Sequence, residues 1–226
     1  MTNPKEAPIK LEFSNKYDRN HSKYYYEKHR RGIEPRLSHW RDVQLARKAL
    51  KIAGDPQSVL DLPCGAGRFW PVLAENSTRK VIGADNSRDM VAVALEYCPK
   101  EILSRFTGLQ TSAFAIDLPD EAVDSIFCMR LMHHVGQPEH RLRMLKEFHR
   151  VSRDTVIMSL WVDGNFKSYK RKKSEERHPR GKHQNRFVIP AKVIDQEFKD
   201  AGFVVLDSLD FIPYYAMWRV YVLRKN

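Results

Sequence analysis

Two short apolar runs, each ending in an aspartate and separated by a glycine turn, constrain this chain more than any other feature. Val59-Leu60 leads into Asp61, and Leu62-Pro63-Cys64-Gly65-Ala66-Gly67-Arg68-Phe69 turns into a helix-like segment. Val81-Ile82-Gly83-Ala84 then ends at Asp85. The pattern is a strand, a tight turn, a helix and a second strand, and such units bind ligands beyond the carboxyl ends of their strands. Gly65 and Gly67 permit positive φ and carry no Cβ where backbone must approach a ligand. An acid at the end of the second strand is placed to accept from both hydroxyls of a ribose. The turn lacks the G-x-G-x-x-G spacing that seats a pyrophosphate on a helix N-terminus, and no phosphate loop ending in G-K-S/T occurs. A ligand with a ribose and no phosphate fits better than a dinucleotide or ATP.

Asp61-x-x-x-Gly65-x-Gly67 followed by Asp85 resembles the first two motifs of the class I S-adenosylmethionine-dependent methyltransferases. The similarity continues through Asp117-Leu118-Pro119, Val123-Asp124-Ser125-Ile126-Phe127 and Leu131-Met132-His133-His134-Val135. That series resembles the ubiquinone-biosynthesis-like, methyltransferase type 11 branch over residues 57–161. The resemblance implies an α/β fold: a doubly wound, Rossmann-like, seven-stranded sheet, mostly parallel, closed by a C-terminal antiparallel hairpin and covered by helices on both faces. It implies S-adenosyl-L-methionine as cofactor. Asp61 then resembles the acid that meets the methionine amino group, and Gly65 and Gly67 allow close packing of the ligand. Asp85 resembles the ribose acceptor, with Asn86 beside it. Met90 packs near the adenine or belongs to the core, and the Met129 backbone contacts the methionine end.

Three departures from the family pattern carry expectations of their own. Relatives often place an aspartate after strand three, where this chain has Ser112-Ala113-Phe114-Ala115. The backbone near Ala113 and the ring of Phe114 are expected to take over adenine recognition, with Asp117 supporting the following turn. Cys64 stands where a glycine is common, so its φ should be negative. Val151-Ser152-Arg153-Asp154 lacks the usual Pro-Gly-Gly turn. His133 and His134 fall at the acceptor mouth, where an imidazole serves as a base near neutral pH or merely caps and packs.

A chain of 226 residues with 42% hydrophobic and 11% aromatic content suits one globular domain. No apolar run approaches the ~18–20 residues that span a bilayer, and Met1-Thr2-Asn3-Pro4-Lys5-Glu6 has no apolar signal core. Cys64, Cys98 and Cys128 are scattered without a C-x-x-C pair, which reads as reduced cytoplasmic thiols and no metal site. Helical spacing over 36–53 ends at Gly54-Asp55-Pro56. Strands are expected at 57–61, 79–84, within 106–116, at 123–129 and 155–161, with helices at 67–76, 87–97 and from Pro138. Pro190 opens a last helix, and 203–209 with 215–223 form the closing pair.

The net charge of +11 is concentrated at two places. One is the 16–36 segment, where basic residues mix with Tyr17, His21 and Tyr24-Tyr25-Tyr26; residues 1–32 are expected to form an arm or lid before a methyltransferase domain at 33–226. The other is a basic insertion at 162–187. Such clusters concentrate anionic ligands. The acceptor is therefore expected to be anionic, favoured as a phosphorylated glycolipid, lipid-linked or small-molecule metabolite met at a membrane surface, with tRNA or other RNA contacted through its phosphates by the basic insertion as the alternative. Methyl transfer to O or N is the leading reading, and a non-catalytic binding or assembly protein on the same fold is the alternative from another class.

Overall fold

The structure is a computed structural model that describes Ile9, residues 33–177 and residues 185–226. The lid expected from Tyr17, His21 and the Tyr24–Tyr26 cluster lies outside the described residues. In chain order the elements are α1 (Ile33–Ile52), β1 (Ser58–Asp61), α2 (Trp70–Leu73), β2 (Lys80–Asp85), α3 (Arg88–Glu96), α4 (Lys100–Leu103) and β3 (Phe106–Gln110). They continue with β4 (Val123–Cys128), a 3-10 turn (Met132–His134), α5 (Pro138–Val151), β5 (Ser152–Trp161), α6 (Phe166–Arg177), α7 (Ala191–Asp200), β6 (Phe203–Asp210) and β7 (Trp218–Lys225).

Seven strands form one sheet in the order β3-β2-β1-β4-β5-β7-β6. β1 to β5 run parallel, and β7 lies antiparallel to both β5 and β6. The order reverses between β1 and β4, which opens a crevice at their carboxyl ends. Alternation along the central strands sends side chains to two cores. Leu60, Ile126, Val156 and Met158 face Met144, Leu145 and Phe148 of α5 and Ile194 and Phe198 of α7. Val59, Phe127, Ile157 and Val222 face α1, α2 and α3. The central parallel strands β1, β4 and β5 are therefore apolar on both sides, as buried parallel strands require.

One local expectation is corrected. The helix after the glycine turn is a single short turn, Trp70–Leu73, because Gly65 and Gly67 at φ 53° and 76° hold the preceding residues out of helical geometry. Within the basic insertion, Phe166–Arg177 forms a helix. Its first backbone amides donate outward, Phe166 N to the Tyr214 carbonyl at 2.9 Å and Lys167 N to that of Tyr215 at 3.0 Å. The missing Pro-Gly-Gly turn has a simple consequence, since α5 passes directly into β5 at Ser152, whose hydroxyl donates to the Phe148 carbonyl at 2.7 Å.

Candidate active site

The carboxyl edge of the sheet carries two carboxylates on either side of the glycine turn, Asp61 buried and Asp85 half-buried. Asp61 ends β1 at 1% exposure. One of its oxygens accepts the indole N–H of Trp70 at 3.1 Å, and the other, Oδ1, is buried without a partner. Burial raises its pKa well above the usual carboxylate range; the indole bond opposes this and the charge of Asp85 adds to it. Asp85 ends β2, accepts from Gly65 N at 3.1 Å and from Ser87 N at 2.9 Å, and is also shifted upward by burial. Helix α3 is capped by the hydroxyl of Ser87, which accepts from Met90 N at 3.3 Å, so Asp85 is not the cap. Two desolvated carboxylates, one with an unmade bond, form a site whose missing partner is cationic or a hydrogen-bond donor.

Those residues fit an aminosulfonium nucleoside such as S-adenosylmethionine. Asp61 would meet an ammonium group and Asp85 a pair of ribose hydroxyls. Cys64 does not adopt positive φ, as expected for a residue with a Cβ. Its amide donates to the Ala84 carbonyl at 2.7 Å, which locks the turn onto β2. Burial and both carboxylates push its thiol far above its ordinary value, so it stays protonated. Asn86 is exposed beside Asp85, Met90 is buried with Ala66 and Val93, and Met129 is buried at the exit of β4. Ala113 and Phe114 are both buried. The Phe114 ring packs 6.3 Å from His140 of α5, while a Ser112–Ala115 bridge folds the loop into a compact turn. Asp117 is exposed, and its amide is held by the Thr111 hydroxyl at 2.9 Å, which places it in the turn it was expected to support.

Trp70 is the residue that sequence reasoning missed. It holds Asp61, and its ring fills the space that side chains would otherwise claim at two glycines. A Cβ on Gly83 would sit 2.3 Å from Trp70 Cζ2, and one on Gly67 would sit 3.1 Å from Cδ2. The sole sequence signal was an aromatic residue placed directly after the glycine turn. Trp70→Phe keeps the ring and removes the N–H. It is expected to cost about 1–3 kcal/mol, the penalty for stranding a buried polar group, and to weaken S-adenosylmethionine binding. Calorimetric titration alongside urea denaturation checks this, and unchanged values in both would refute the role.

A second cluster lies beyond β4, β5 and β7. Trp161 ends β5 and pairs in register with Trp218 at the start of β7. Their rings are 5.4 Å apart at 74°. His133 packs 5.0 Å from Trp161 and 4.7 Å from Trp218. The guanidinium carbon of Arg130 lies 4.6 Å from the Trp218 ring centre, and those of Arg171 and Arg186 lie 5.0 Å and 5.9 Å from that of Trp161. Arg130 adopts φ 64°, a left-handed conformation unusual for a long side chain. Its amide is held by the Ser159 hydroxyl at 2.8 Å and its guanidinium by Asp42 at 2.5 Å. Asp42 also takes Arg68 at 2.6 Å, tying α1 to the glycine turn.

The two histidines separate by environment. His133 is buried, and its pKa is lowered to about 2 by that burial first and then by His134 and the arginines around it. Such an imidazole is neutral and weakly basic at physiological pH. His134 is also shifted downward by burial, and its Nδ1 meets the Asn185 carbonyl at 2.5 Å. His133 therefore behaves as a positioned, uncharged group, and His134 is displaced in the same direction while its bond to Asn185 opposes the shift. No group of three or more metal-ligating side chains occurs among the described residues.

Residues 59–155 match a family described as a methyltransferase domain. Among curated relatives, the tRNA U34 carboxymethyltransferase of Shewanella frigidimarina is 31% identical over 116 residues, covering 48% of this chain and 33% of the relative. That of Shewanella loihica is 29% identical over 179 residues, covering 76% and 50%. The chain thus spans half or less of the length of these two relatives. Among solved structures, magnesium protoporphyrin IX methyltransferase from Synechocystis PCC 6803, with bound SAH, superposes with a TM-score of 0.75 at 16% identity, covering 95% of this chain and 98% of that one. A SAM-dependent methyltransferase from Aquifex aeolicus gives 0.61 at 22% identity, covering 93% and 100%. The sheet order is the fold of these solved methyltransferases, and the part of the chain that carries the glycine turn between two strand-end aspartates matches a methyltransferase domain.

Proposed function

We propose that this chain transfers a methyl group from S-adenosylmethionine to an N or O atom of an anionic acceptor, and that the acceptor is tRNA. The observation that carries the reading is the placement, along one sheet edge, of the Asp61–Asp85 carboxylates next to the Arg130–Trp218 and Arg171–Trp161 stacks. A donor with a positive charge suits the first group and an acceptor with negative charge suits the second. When bound, the cofactor supplies an already activated methyl carbon. The chain has only to bind, align and exclude water, effects worth up to ~7–11 kcal/mol when orientation is good.

Support for tRNA over a glycolipid comes from two sides. The curated relatives named above act on a tRNA by their names. The outer side of α6 and the β6–β7 connection expose Tyr169, Tyr214 and Tyr215 among lysines, a combination that suits base stacking and phosphate contact. No helix among the described residues is long and apolar enough to cross a membrane, and an RNA acceptor would set the enzyme to work in the cytoplasm. The test is incubation of the purified protein with label-bearing S-adenosylmethionine and, separately, total tRNA and total lipid. Label in tRNA alone supports the proposal; label in lipid alone restores the glycolipid acceptor; a nucleoside mass gain of a carboxymethyl rather than a methyl group would change the transferred group.

The burial that lowers the basicity of His133, and shifts His134 in the same direction, favours alignment over proton abstraction. His133→Ala and His134→Ala are each expected to lower the maximal rate by less than about tenfold, against the ~10²–10⁴ that a general base contributes. A larger loss with a shifted pH–rate profile would reinstate a histidine base.

A further inference from the structure

We propose that Arg130, Arg171 and Arg186, seated on the indoles of Trp161 and Trp218, form an oxyanion-binding subsite at the acceptor end of the sheet. The ligand group is a phosphate or a carboxylate. The inference deepens the anionic-acceptor reading and rests on it only for the direction from which the ligand arrives.

Three chain segments converge to build the subsite, and each is pinned. Arg130 leaves β4 in its left-handed conformation, held at its amide by Ser159. Arg171 projects from α6 and donates from Nη2 to the carbonyl of Arg186 at 2.8 Å, joining helix and following segment. That segment is anchored in turn, since Phe187 N donates to the His133 carbonyl at 2.7 Å. Its ring fills the space over Gly136, where a Cβ would come within 2.7 Å of Phe187 Cζ. Glu175 pairs with Arg171 at 2.9 Å and Asp42 with Arg130, which orients the guanidiniums along the indole faces. A guanidinium stacked on a ring and paired in this way is held in a fixed plane and keeps its charge, which suits an oxyanion placed against it.

A second observation points to a ligand independently. His133 Nδ1 and Trp161 Nε1 are both buried without a hydrogen-bond partner, in side chains 3% and 8% exposed. An indole N–H can only donate, so an oxygen acceptor is what satisfies it. All three arginines also bear electrostatically on the His133 ring and disfavour its protonated form, which means their positive potential converges on this spot. Unmade bonds and converging positive charge at one place call for an oxyanion.

Phosphate and carboxylate sources are separated by following the Trp161 indole N–H resonance while inorganic phosphate, acetate or chloride is added at matched ionic strength. A saturating shift with phosphate alone supports a phosphate-bearing acceptor, and one with acetate alone supports a carboxylate; no saturating shift beyond that of chloride overturns the subsite. The Arg171→Gln/Arg186→Gln double variant is expected to weaken the saturating anion by at least about tenfold, given charge-assisted hydrogen bonds of the usual strength. Undiminished affinity in that variant also overturns the proposal. Calorimetry of the same samples with S-adenosylmethionine separates the two readings: absent cofactor binding sinks the methyltransferase proposal, whereas intact cofactor binding with an unmoved Trp161 sinks the subsite alone.

Discussion

Arg141→Ala is expected to destabilise the protein by about 3–5 kcal/mol, the cost of removing one partner from a buried ion pair. Arg141 and Glu197 are 5% and 9% exposed and meet through two bonds, Nε to Oε2 at 2.8 Å and Nη2 to Oε1 at 2.5 Å. The remaining nitrogen donates to the Val135 and Gly136 carbonyls at 3.3 Å and 2.8 Å. One guanidinium thus fastens α5 to α7 and both to the loop that follows His134. Without it, a carboxylate and two carbonyls lose their donor in a dry interior. Urea denaturation measures the loss, and a change below about 1 kcal/mol would refute the role. The Arg141→Leu/Glu197→Leu pair should recover much of the stability, because an apolar pair avoids the desolvation of both charges.

Asp85→Ala is expected to raise the dissociation constant for S-adenosylmethionine by about a hundredfold. Hydrogen bonds to a charged group are worth ~1.5–3 kcal/mol each, and 1.4 kcal/mol is tenfold in affinity. The carboxylate already accepts from Gly65 and Ser87, so part of the loss would come from a slackened turn. Asp85→Asn separates the contributions: it retains one acceptor oxygen and should fall between the wild type and the alanine variant. Ser87 keeps its place as the helix cap, so the variant is expected to fold. Calorimetric titration reads the effect, and unchanged affinity would remove Asp85 from the ribose role.

Much of the framework was legible because it follows from local periodicity. The apolar runs that end at Asp61 and Asp85, the helical spacing over 36–53 and the proline that opens α5 all act over a few residues. Helix α6 was not legible. Its lysines and arginines give no apolar stripe, and its start is set by bonds to Tyr214 and Tyr215, which lie far along the chain. The short α2 was overestimated because helical spacing after Gly67 competes with the positive φ that the turn demands.

The sequence alone determined the class of nucleotide site: two acids at strand ends, glycines between them and no pyrophosphate spacing allow few other arrangements. The tertiary structure decided what surrounds those acids. Trp70 claims the space at Gly83, Asp42 gathers Arg68 and Arg130, and Trp161 meets Trp218 across β5 and β7. None of these contacts has a local signature, because each joins residues whose separation in the chain carries no periodicity. The histidines show the same division. Their place just beyond β4 was readable from order, but the lowering of their basicity comes from burial and nearby arginines, which only the folded chain supplies.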